Sequence, residues 1–417
     1  MDTANTTAGH EAEPVRPRQA VILAGGRGVR LRPLTDDRPK PMIEFHGRPF
    51  LAYLIEMLRD AGFERVLLLL GYRAGVITNY FSDGRDFGID ISYSISPPDD
   101  LTVRRVQLAR DQMESRFLLL YCDNYWPIRF DDMWSRYWAL GAPAMVTVYR
   151  NSDGYSRNCI HVDAHGMVDA FDRSRTAAGL NGVEISYAIL DRSVLDLLPE
   201  TDAPIEEALY PQLAASRRLS AYVTDHRYYS VGSPERLPLT SEFFARRRVV
   251  LLDRDGVLNR RPGKAEYVRS WEEFRWLPGA KDALAMLKSA GYRLIVISNQ
   301  AGVARGAMSA ADLDDVHLRM RREAAEAGGA IHAIYTCTHD WDEGCECRKP
   351  KPGMLFQAQR DFHFDLTRAV FIGDDERDQA AAEAAGCNYL HATERDGLLP
   401  LAEMLVKAEG HQLCAHN

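Results

Sequence analysis

Two aspartates separated by one residue follow an apolar run in the second half of this chain. In the segment VVLLDRDGVLN the run stops at Asp253 and Asp255, and Gly256 marks a loop. Residues two apart on an extended chain point to the same side, so one carboxylate can attack while its neighbour handles protons. A divalent cation would offset their repulsion and keep Asp253 ionised as a nucleophile toward phosphorus. The alternative is a strand that ends in a solvated, Asp-rich turn.

Two further apolar runs end in polar side chains in the same way. The segment RLIVISNQ reaches Ser298 and Asn299, and AVFIGDDERD reaches Asp374. A hydroxyl and adjacent backbone N–H groups at a strand end suit a phosphoryl oxygen. Short apolar runs that end in loops predict buried parallel strands, and open α/β sheets place ligands at the carboxyl ends of their strands. The coincidence of three such strand ends favours one site over three unrelated turns.

Three of the seven cysteines lie close together beside a histidine. The four residues are Cys337, His339, Cys345 and Cys347. Such ligands suit a closed tetrahedral zinc site with no position left for substrate. We expect a structural zinc ion that fixes the loop carrying the neighbouring Arg348 and Lys349. The alternative is a hairpin with free thiols.

A glycine-rich turn follows the first apolar run of the chain. In QAVILAGGRGVRLRPLTDDRPKPM, glycines allow the backbone to approach a phosphate chain, and the basic side chains can compensate its charge. The candidate phosphate-binding residues are Gly25, Gly26, Gly28, Arg30 and Lys40. A later apolar run ends in Asp123, which is either a metal ligand or a strand-end turn former.

Composition and charge limit the classes of protein to which this chain can belong. The chain has 417 residues, of which 46% are hydrophobic and 26% charged, which predicts a soluble globular protein of two domains, with three domains as the alternative. A net charge of -8 argues against a general binder of nucleic acid or anionic membranes. No apolar run approaches the length of a membrane span, and residues 1–18 read as a disordered tail without a signal peptide. Sparse cysteines indicate a reducing compartment, so we expect the cytoplasm.

The pattern of apolar runs predicts an α/β protein with two domains, each a mainly parallel sheet flanked by helices. The tail, 1–18, precedes a first domain at 19–240 and a second at 248–410. The connector between them is basic, at 245–248. We expect strands near 66–70 and 91–95, and a helix that starts with a capping box at Ser309.

The first domain resembles the sugar-1-phosphate nucleotidylyltransferases, whose signature GGxGxRLxPLTxxxPKP is present from Gly25 to Pro41. The resemblance implies a Rossmann-like domain whose glycine loop holds a nucleoside triphosphate. It also implies that Arg30 faces the phosphates, that Lys40 serves the sugar phosphate, and that Asp123 binds a metal ion.

The resemblance is weaker beyond this signature. Where that family often has a glycine-rich segment, this chain has Leu101 to Arg110, and where it has Glu-Lys, this chain has Asp172-Arg173. Ser230 stands where the family has its second metal-binding aspartate. A neutral hydroxyl is a poorer magnesium ligand than a carboxylate. The first domain is therefore either an active transferase or a domain that only binds a nucleotide or sugar phosphate.

The second domain resembles the haloacid dehalogenase superfamily of phosphatases. DRDG, SNQAGVARG, the Cys/His cluster and CRKPKPGM are similar to the branch of the heptose-1,7-bisphosphate and histidinol-phosphate phosphatases. The resemblance makes Asp253 the nucleophile and Asp255 the acid and then the base. Magnesium would be held by Asp253, Asp374 and the backbone carbonyl of Asp255. Phosphate contacts fall to Ser298, Asn299, Lys349 and, as a candidate clamp, Arg348.

The two resemblances together imply consecutive steps toward a nucleotide-activated heptose. Removal of the 7-phosphate of a heptose 1,7-bisphosphate yields the 1-phosphate that a nucleotidyltransferase uses. The expected partners are a small sugar phosphate and a nucleoside triphosphate, and the expected cofactors are Mg²⁺ and structural Zn²⁺. A histidinol-phosphate phosphatase is a further alternative. The sequence leaves open the sugar and its anomer, the base and the oligomeric state.

Overall fold

The computed structural model describes residues 16–263, 266–393 and 395–414, with 409–414 as backbone only. Most of the expected disordered tail, residues 1–15, lies outside these residues. The described chain divides into two compact units. The first comprises residues up to Asn124 and Ile128–Thr224, and the second comprises Tyr125–Pro127 and the chain from Asp225 onward. Both units are built from sheets and helices, so the expected α/β class is confirmed.

The first unit is organised around a sheet whose described strands follow the order β12-β8-β11-β6-β1-β4-β5. Strand β11 runs antiparallel to both of its neighbours, and the other neighbouring pairs are parallel, so the sheet is mixed. The strands are β1 (Gln19–Ala24), β2 (Glu44–Phe45), β3 (Arg48–Pro49), β4 (Arg65–Leu70), β5 (Asp90–Ile95), β6 (Arg116–Tyr121), β7 (Asn124–Tyr125, at the division), β8 (Ala144–Tyr149), β9 (Ile160–Val162), β10 (Val168–Phe171), β11 (Val183–Asp191) and β12 (Leu219–Thr224). The helices are α1 (Phe50–Asp60), α2 (Ala74–Phe81), α3 (Thr102–Ala109), α4 (Phe130–Leu140) and α5 (Ile205–Ala215).

The second unit contains a parallel sheet in the order β16-β15-β14-β17-β18. Its strands are β13 (Tyr229–Ser230, outside that sheet), β14 (Val249–Leu252), β15 (Arg293–Asn299), β16 (Ala333–Cys337), β17 (Val370–Gly373) and β18 (Asn388–His391). Its helices are α6 (Leu237–Phe244), α7 (Ala280–Ser289), α8 (Ala310–Glu326), α9 (Gly353–Phe362), α10 (Glu376–Ala385) and α11 (Leu399–Cys414). Strand β14 lies between β15 and β17. The three strands expected to carry the site are therefore neighbours.

Burial on both faces explains why β14 is an unbroken apolar run. Val250 and Leu252 pack into one hydrophobic cluster, together with side chains from α7 and α8. Val249 and Leu251 pack into another, together with side chains from α9 and α10. Successive residues of a strand point to opposite faces, so a strand with helices on both sides needs apolar residues at every position.

Ser230 lies in β13 and belongs to the second unit. Its side chain is buried, and its backbone carbonyl accepts a hydrogen bond of 2.8 Å from Thr240 Oγ1 of α6. The contacts thus assign residues 225–244 to the second unit, whereas the boundary expected from the sequence lies between 240 and 248.

None of the helices among the described residues is both long enough and apolar enough to cross a membrane.

Candidate active site

The carboxyl ends of β14, β15 and β17 meet at one cavity of about 930 Å³ in the second unit. Asp253 directly follows β14, and its N–H donates to the carbonyl of Ile372 in β17, 2.9 Å away. Parallel pairing of β14 with both neighbours places these ends side by side. All the phosphatase residues expected from the sequence line the cavity, namely Asp253, Asp255, Ser298, Asn299, Arg348, Lys349 and Asp374.

Lys349 pairs with two carboxylates of the cavity, those of Asp253 and Asp378. Its Nζ lies 2.8 Å from Asp253 Oδ1 and 2.7 Å from Asp378 Oδ1, and it donates to the carbonyl of Ile297 over 3.0 Å. The side chain is buried, and three acceptors match the three donors of an ammonium group. The two carboxylates raise the pKa of Lys349 despite its burial, which keeps it protonated.

Three carboxylates form a group that suits a divalent cation. Oxygens of Asp253, Asp374 and Asp378 all lie within 4.8 Å of one another. Magnesium prefers hard oxygen ligands, and the carboxylates of this group supply such oxygens. The carboxylate of Asp255 is not part of this group, and the expected metal contact from its backbone carbonyl stays a prediction. Asp378 was not among the site residues predicted from the sequence, although it follows Asp374 by four residues in GDDERD.

Burial raises the pKa of Asp253, and neighbouring Asp378 adds to the rise, although Lys349 opposes it. Burial also raises the pKa of Asp374 to about 6, against the effect of Arg261, whose Nη1 lies 3.1 Å from Asp374 Oδ2. A cation between these groups would favour their charged forms.

Asp255 has a different environment from Asp253. Its carboxylate accepts hydrogen bonds from Arg254 (Nε to Oδ1 and Nη2 to Oδ2, both 3.0 Å), from Asn259 and from Gln300. Burial alone would raise the pKa of Asp255, but these donors more than offset that effect and lower it. The two aspartates of the motif are thus distinguished by their surroundings.

Ser298 is oriented by a neighbouring amide. Its Oγ accepts a hydrogen bond of 2.9 Å from Gln300 Nε2, which leaves the hydroxyl proton available to a phosphoryl oxygen. The side chain of Asn299 instead holds the backbone of Lys349, with bonds of 3.0 and 3.1 Å. Phosphate contact from Asn299 would therefore come from its main chain. Nη1 of Arg348 is buried and has no hydrogen-bond partner among the described residues.

The expected zinc ligands lie together. Cys337 Sγ is 3.6 Å from both His339 Nδ1 and Cys345 Sγ, and Cys347 lies 3.2 Å from His339 Nδ1 and 3.5 Å from Cys345 Sγ. Bond lengths of about 2.3 Å from zinc to sulfur give ligand separations of about 3.8 Å in a tetrahedron. The four atoms therefore fit such a site. Cys337 ends β16, next to β15.

The glycine loop of the first unit follows β1, and Asp123 lies just beyond the end of the neighbouring β6. Lys40 Nζ is 2.6 Å from Asp123 Oδ2, so these two expected site residues are brought together. Gly28 has a φ of 64°, a conformation that glycine adopts at little cost. Gly26 and Arg30 are exposed on this loop.

Arg105 is a contact of the glycine loop that we did not anticipate. Its side chain is buried, and it donates to the carbonyls of Leu70 (2.6 Å) and Pro97 (2.9 Å). A Cβ atom on Gly25 would lie 2.2 Å from Arg105 Cζ. The absence of a side chain at Gly25 thus makes room for Arg105, in addition to any approach of a phosphate.

Comparisons with known proteins match the N-terminal and C-terminal parts of the chain to the two families that it resembles. A family model described as nucleotidyl transferase matches residues 19–172, and one described as haloacid dehalogenase-like hydrolase matches residues 189–386. The D-glycero-beta-D-manno-heptose-1,7-bisphosphate 7-phosphatase of Pseudomonas putida is 42% identical over 139 residues. That match covers 33% of this chain and 78% of the relative.

Solved structures resemble each part of the chain. D,D-heptose 1,7-bisphosphate phosphatase from B. bronchiseptica, complexed with magnesium and phosphate, is 35% identical with a TM-score of 0.37. The match covers 39% of this chain and 99% of that one. HddC from Yersinia pseudotuberculosis, complexed with GMP-PN, is 23% identical with a TM-score of 0.47, covering 54% of this chain and 98% of that one.

Proposed function

This chain belongs to the haloacid dehalogenase-like hydrolases, and on that premise we propose that its second unit is a magnesium-dependent phosphatase that removes the 7-phosphate of D-glycero-D-manno-heptose 1,7-bisphosphate. The observation that carries the proposal is a group of three carboxylates, formed by Asp253 and Asp374 at the ends of adjacent strands and by Asp378 of α10. Lys349 pairs with Asp253 and Asp378. The name of the relative from Pseudomonas putida supports the choice of substrate.

The reaction proceeds in two steps on this chain's residues. An oxygen of Asp253 attacks phosphorus, the ester P–O bond breaks, and Asp255 gives a proton to the leaving sugar oxygen. Water then attacks the aspartyl-phosphate and gives a proton to Asp255. The bond between phosphorus and Asp253 breaks, which restores both carboxylates and releases phosphate. Ser298 and Lys349 hold the phosphoryl oxygens, and Lys349 exchanges one of its present contacts for this role.

Magnesium would be held by Asp253, Asp374 and Asp378 with the backbone carbonyl of Asp255, and when bound it supplies charge neutralisation for the phosphoryl group. Arg348 is the proposed clamp for the substrate, because its Nη1 has no partner in the described chain. Asn299 supports it indirectly by fixing the backbone of Lys349.

The experiment is a screen of phosphate release from both anomers of heptose 1,7-bisphosphate, from heptose 7-phosphate, and from hexose phosphates and histidinol phosphate. We expect the bisphosphate to have the highest kcat/KM, the activity to require Mg²⁺, and Asp253→Asn to lose several orders of magnitude. Preference for histidinol phosphate would refute the substrate. Near-native turnover by Asp253→Asn would refute the mechanism.

We further propose that the Cys/His cluster binds one structural zinc per chain. The ligands leave no open position, so zinc takes no part in the chemistry. Elemental analysis of freshly purified protein should find about one zinc per chain, and Cys345→Ser should lower both the zinc content and the activity. The control is Cys387→Ser, because Cys387 directly precedes β18, which lies at the opposite edge of the sheet from β16 with its Cys337. Protein that is active yet free of zinc would contradict this proposal.

Cysteines that bind zinc must be reduced, and thiols stay reduced in the cytoplasm. The same cluster is therefore the basis for proposing a cytoplasmic location.

For the first unit we propose a nucleotidyltransferase domain that binds a nucleoside triphosphate and a sugar 1-phosphate. Gly25, Gly26, Gly28, Arg30 and Lys40 would contact the phosphates, and Asp123 would bind the metal. The ion pair between Lys40 and Asp123 supports this assignment, because it places a cation and a metal-binding carboxylate beside the glycine loop. Together, the two units would serve consecutive steps of heptose activation.

A further inference from the structure

Arg254, the residue between the two aspartates of the motif, has a fully buried side chain. It forms a bidentate pair with Asp255, in which Nε donates to Oδ1 and Nη2 to Oδ2. Burial of an arginine is costly unless its charge is paired and its donors are satisfied. Two parallel bonds also fix the plane of the carboxylate, which a lysine could not do from the same place.

His317 contacts the guanidinium nitrogen of Arg254 that does not bond to Asp255. It lies on α8, and its Nε2 is 3.3 Å from Arg254 Nη1. A ring nitrogen that faces a guanidinium N–H must act as the acceptor, so the imidazole is neutral. Burial, followed by the charge of Arg254, lowers the pKa of His317 to about 3, in agreement with this geometry. The guanidinium is therefore held between a carboxylate and an imidazole.

Two neutral amides complete the surroundings of the carboxylate. Asn259 Nδ2 donates to Asp255 Oδ1 over 2.9 Å, and Gln300 Nε2 donates to Oδ2 over 2.8 Å. A carboxylate accepts about four hydrogen bonds, so all its acceptor positions are in use. Asp255 can carry the transferred proton where a neutral amide gives up its bond, whereas Nε and Nη2 of the buried, charged Arg254 bond to Asp255 alone among the described residues. Arg254 is thus the constant element of this arrangement.

We propose that Arg254, supported by His317, is a positioning residue that holds Asp255 in the orientation needed for both proton transfers. The inference rests on the proposed phosphatase activity, because it assigns Arg254 a role through Asp255. Gln300 extends the arrangement to the phosphoryl-binding hydroxyl, since the same Nε2 also donates to Ser298 Oγ. One buried network thereby sets the direction of the acid–base group and of a phosphate ligand.

The test compares Arg254→Lys with the native enzyme on the sugar bisphosphate and on p-nitrophenyl phosphate. The nitrophenolate group leaves without needing a proton, so only the second step requires Asp255 with this substrate. We expect kcat on the sugar bisphosphate to fall about 100-fold, the lower end of what acid–base catalysis contributes, with KM changed by less than about threefold. With p-nitrophenyl phosphate the first turnover should stay fast and the following turnovers should be slow.

Positioning is separated from a general structural role by a double-mutant cycle. In an Asp255→Asn background, Arg254→Lys should cause little further loss, because the group that it positions is gone. His317→Leu should cause a smaller loss with the same pattern, and His317→Gln, which keeps an acceptor, should restore most of the activity. The control for these variants is Arg322→Lys, because Arg322 lies on α8, like His317, but has an exposed side chain.

An unchanged kcat in Arg254→Lys would overturn the inference, and so would losses that multiply with those of Asp255→Asn. Equal slowing of the first and later turnovers of p-nitrophenyl phosphate would also overturn it, because that result indicates a general disturbance. Absence of phosphate release by the native enzyme would overturn the proposed function together with this inference. An active native enzyme with a normal Arg254→Lys variant would overturn the inference alone.

Discussion

Among single residues, Asp378 links the proposed metal site to the lysine beside the nucleophile. It is buried, it lies 2.7 Å from Lys349 Nζ, and its Oδ2 accepts from the backbone N–H of Asp374 over 3.2 Å. Asp378→Asn should raise the Mg²⁺ concentration for half-maximal activity about 10- to 100-fold, the usual effect of losing a supporting group at a metal site. The measurement is a magnesium titration of phosphate release.

Asp375→Asn is the matched control for this titration. Asp375 is adjacent in sequence to Asp374, but its carboxylate pairs with Arg261 and Arg377 and caps α10. It lies outside the group of three carboxylates, so its loss should shift the magnesium requirement much less. Equal shifts in the two variants would refute a specific role for Asp378.

His317 gives the second unit a pH-dependent stability. The pKa of about 3 in the folded protein lies below the ordinary value of 6.5, so unfolding takes up a proton between these pH values. The contribution of His317 to the free energy of unfolding is therefore fully present above about pH 6.5, and it is lost as the pH falls toward 3. Between pH 7 and pH 5 the native protein should lose about 2 kcal/mol more of its unfolding free energy than His317→Gln. Hydrogen exchange of β14 and β15 at the two pH values measures the difference, and equal losses would contradict the expectation.

The strand pattern could predict the residues that end strands, but not the residues that reach the site from helices. Asp253, Ser298 and Asp374 each follow or end an apolar run, so the strand pattern alone places them at one edge of a sheet. Asp378 lies inside α10, and His317 lies on α8. Their contribution depends on how these helices pack against the sheet, which a one-dimensional pattern does not contain.

Among the elements, the glycine loop of the first unit is shaped by α3 as well as by its own turn. Gly25→Ala would force Arg105 away from the carbonyls of Leu70 and Pro97, because a Cβ would lie 2.2 Å from Arg105 Cζ. We expect a loss of at least about 2 kcal/mol of stability, since bonds to a buried charged group are broken. Thermal unfolding monitored by hydrogen exchange of β1 and β4 measures this loss.

Gly26→Ala provides the control, because nothing lies within 4 Å of a Cβ atom built on Gly26. Its effect on stability should stay below about 0.5 kcal/mol, as for most surface substitutions. Equal stability of the two variants would show that Arg105 adapts at little cost. The sequence identified segment 101–110 as a departure from the family, but α3 and the packing of Arg105 on Gly25 follow from tertiary contacts.

Element boundaries agree with the sequence where the periodicity is strong. The strands expected at 66–70 and 91–95 are β4, Arg65–Leu70, and β5, Asp90–Ile95. The capping box at Ser309 is present, with the side chain of Asp312 bonded back to the Ser309 N–H. The antiparallel direction of β11 was not predicted, because a buried strand shows the same run of apolar residues whether it pairs parallel or antiparallel with its neighbours.

At the scale of the whole molecule, the alternation of strands and helices in the sequence predicts the fold class. It does not predict that residues 225–244 belong to the second unit. This segment continues the sequence resemblance of the first domain, yet its contacts place it in the second unit. Its aromatic side chains explain the assignment: Tyr229 stacks on Phe243 with ring centroids 4.0 Å apart, and Gln359 of α9 donates to Tyr229 Oη over 2.9 Å. A linear pattern shows that such a segment is apolar but not which core receives it.

The proposed nucleotidyl transfer by the first unit would depend on how negative charge is offset at its site. Nucleotidyl transfer brings a sugar 1-phosphate against an α-phosphate, and enzymes normally place a metal between carboxylates to offset that repulsion. This chain has Asp123 next to Lys40. In sequence, the position of the second metal-binding aspartate of the nucleotidylyltransferase family is taken by Ser230, which lies in the second unit. Phosphate contacts from Lys40 and the glycine loop do not require a second carboxylate, so binding should survive better than turnover.

We therefore expect the native protein to bind a nucleoside triphosphate or sugar 1-phosphate and to release pyrophosphate slowly. Ser230→Asp should raise the rate if a second carboxylate is what the site lacks, and Ser230→Ala, which adds no charge, is the matched control. The measurement is pyrophosphate release from each nucleoside triphosphate with heptose and hexose 1-phosphates, together with binding by calorimetry. Fast native turnover that Ser230→Asp leaves unchanged would show that Ser230 is no handicap. Absence of any binding would refute the assignment of Lys40 and the glycine loop, because cations beside open backbone N–H groups should retain phosphates even in an inactive enzyme.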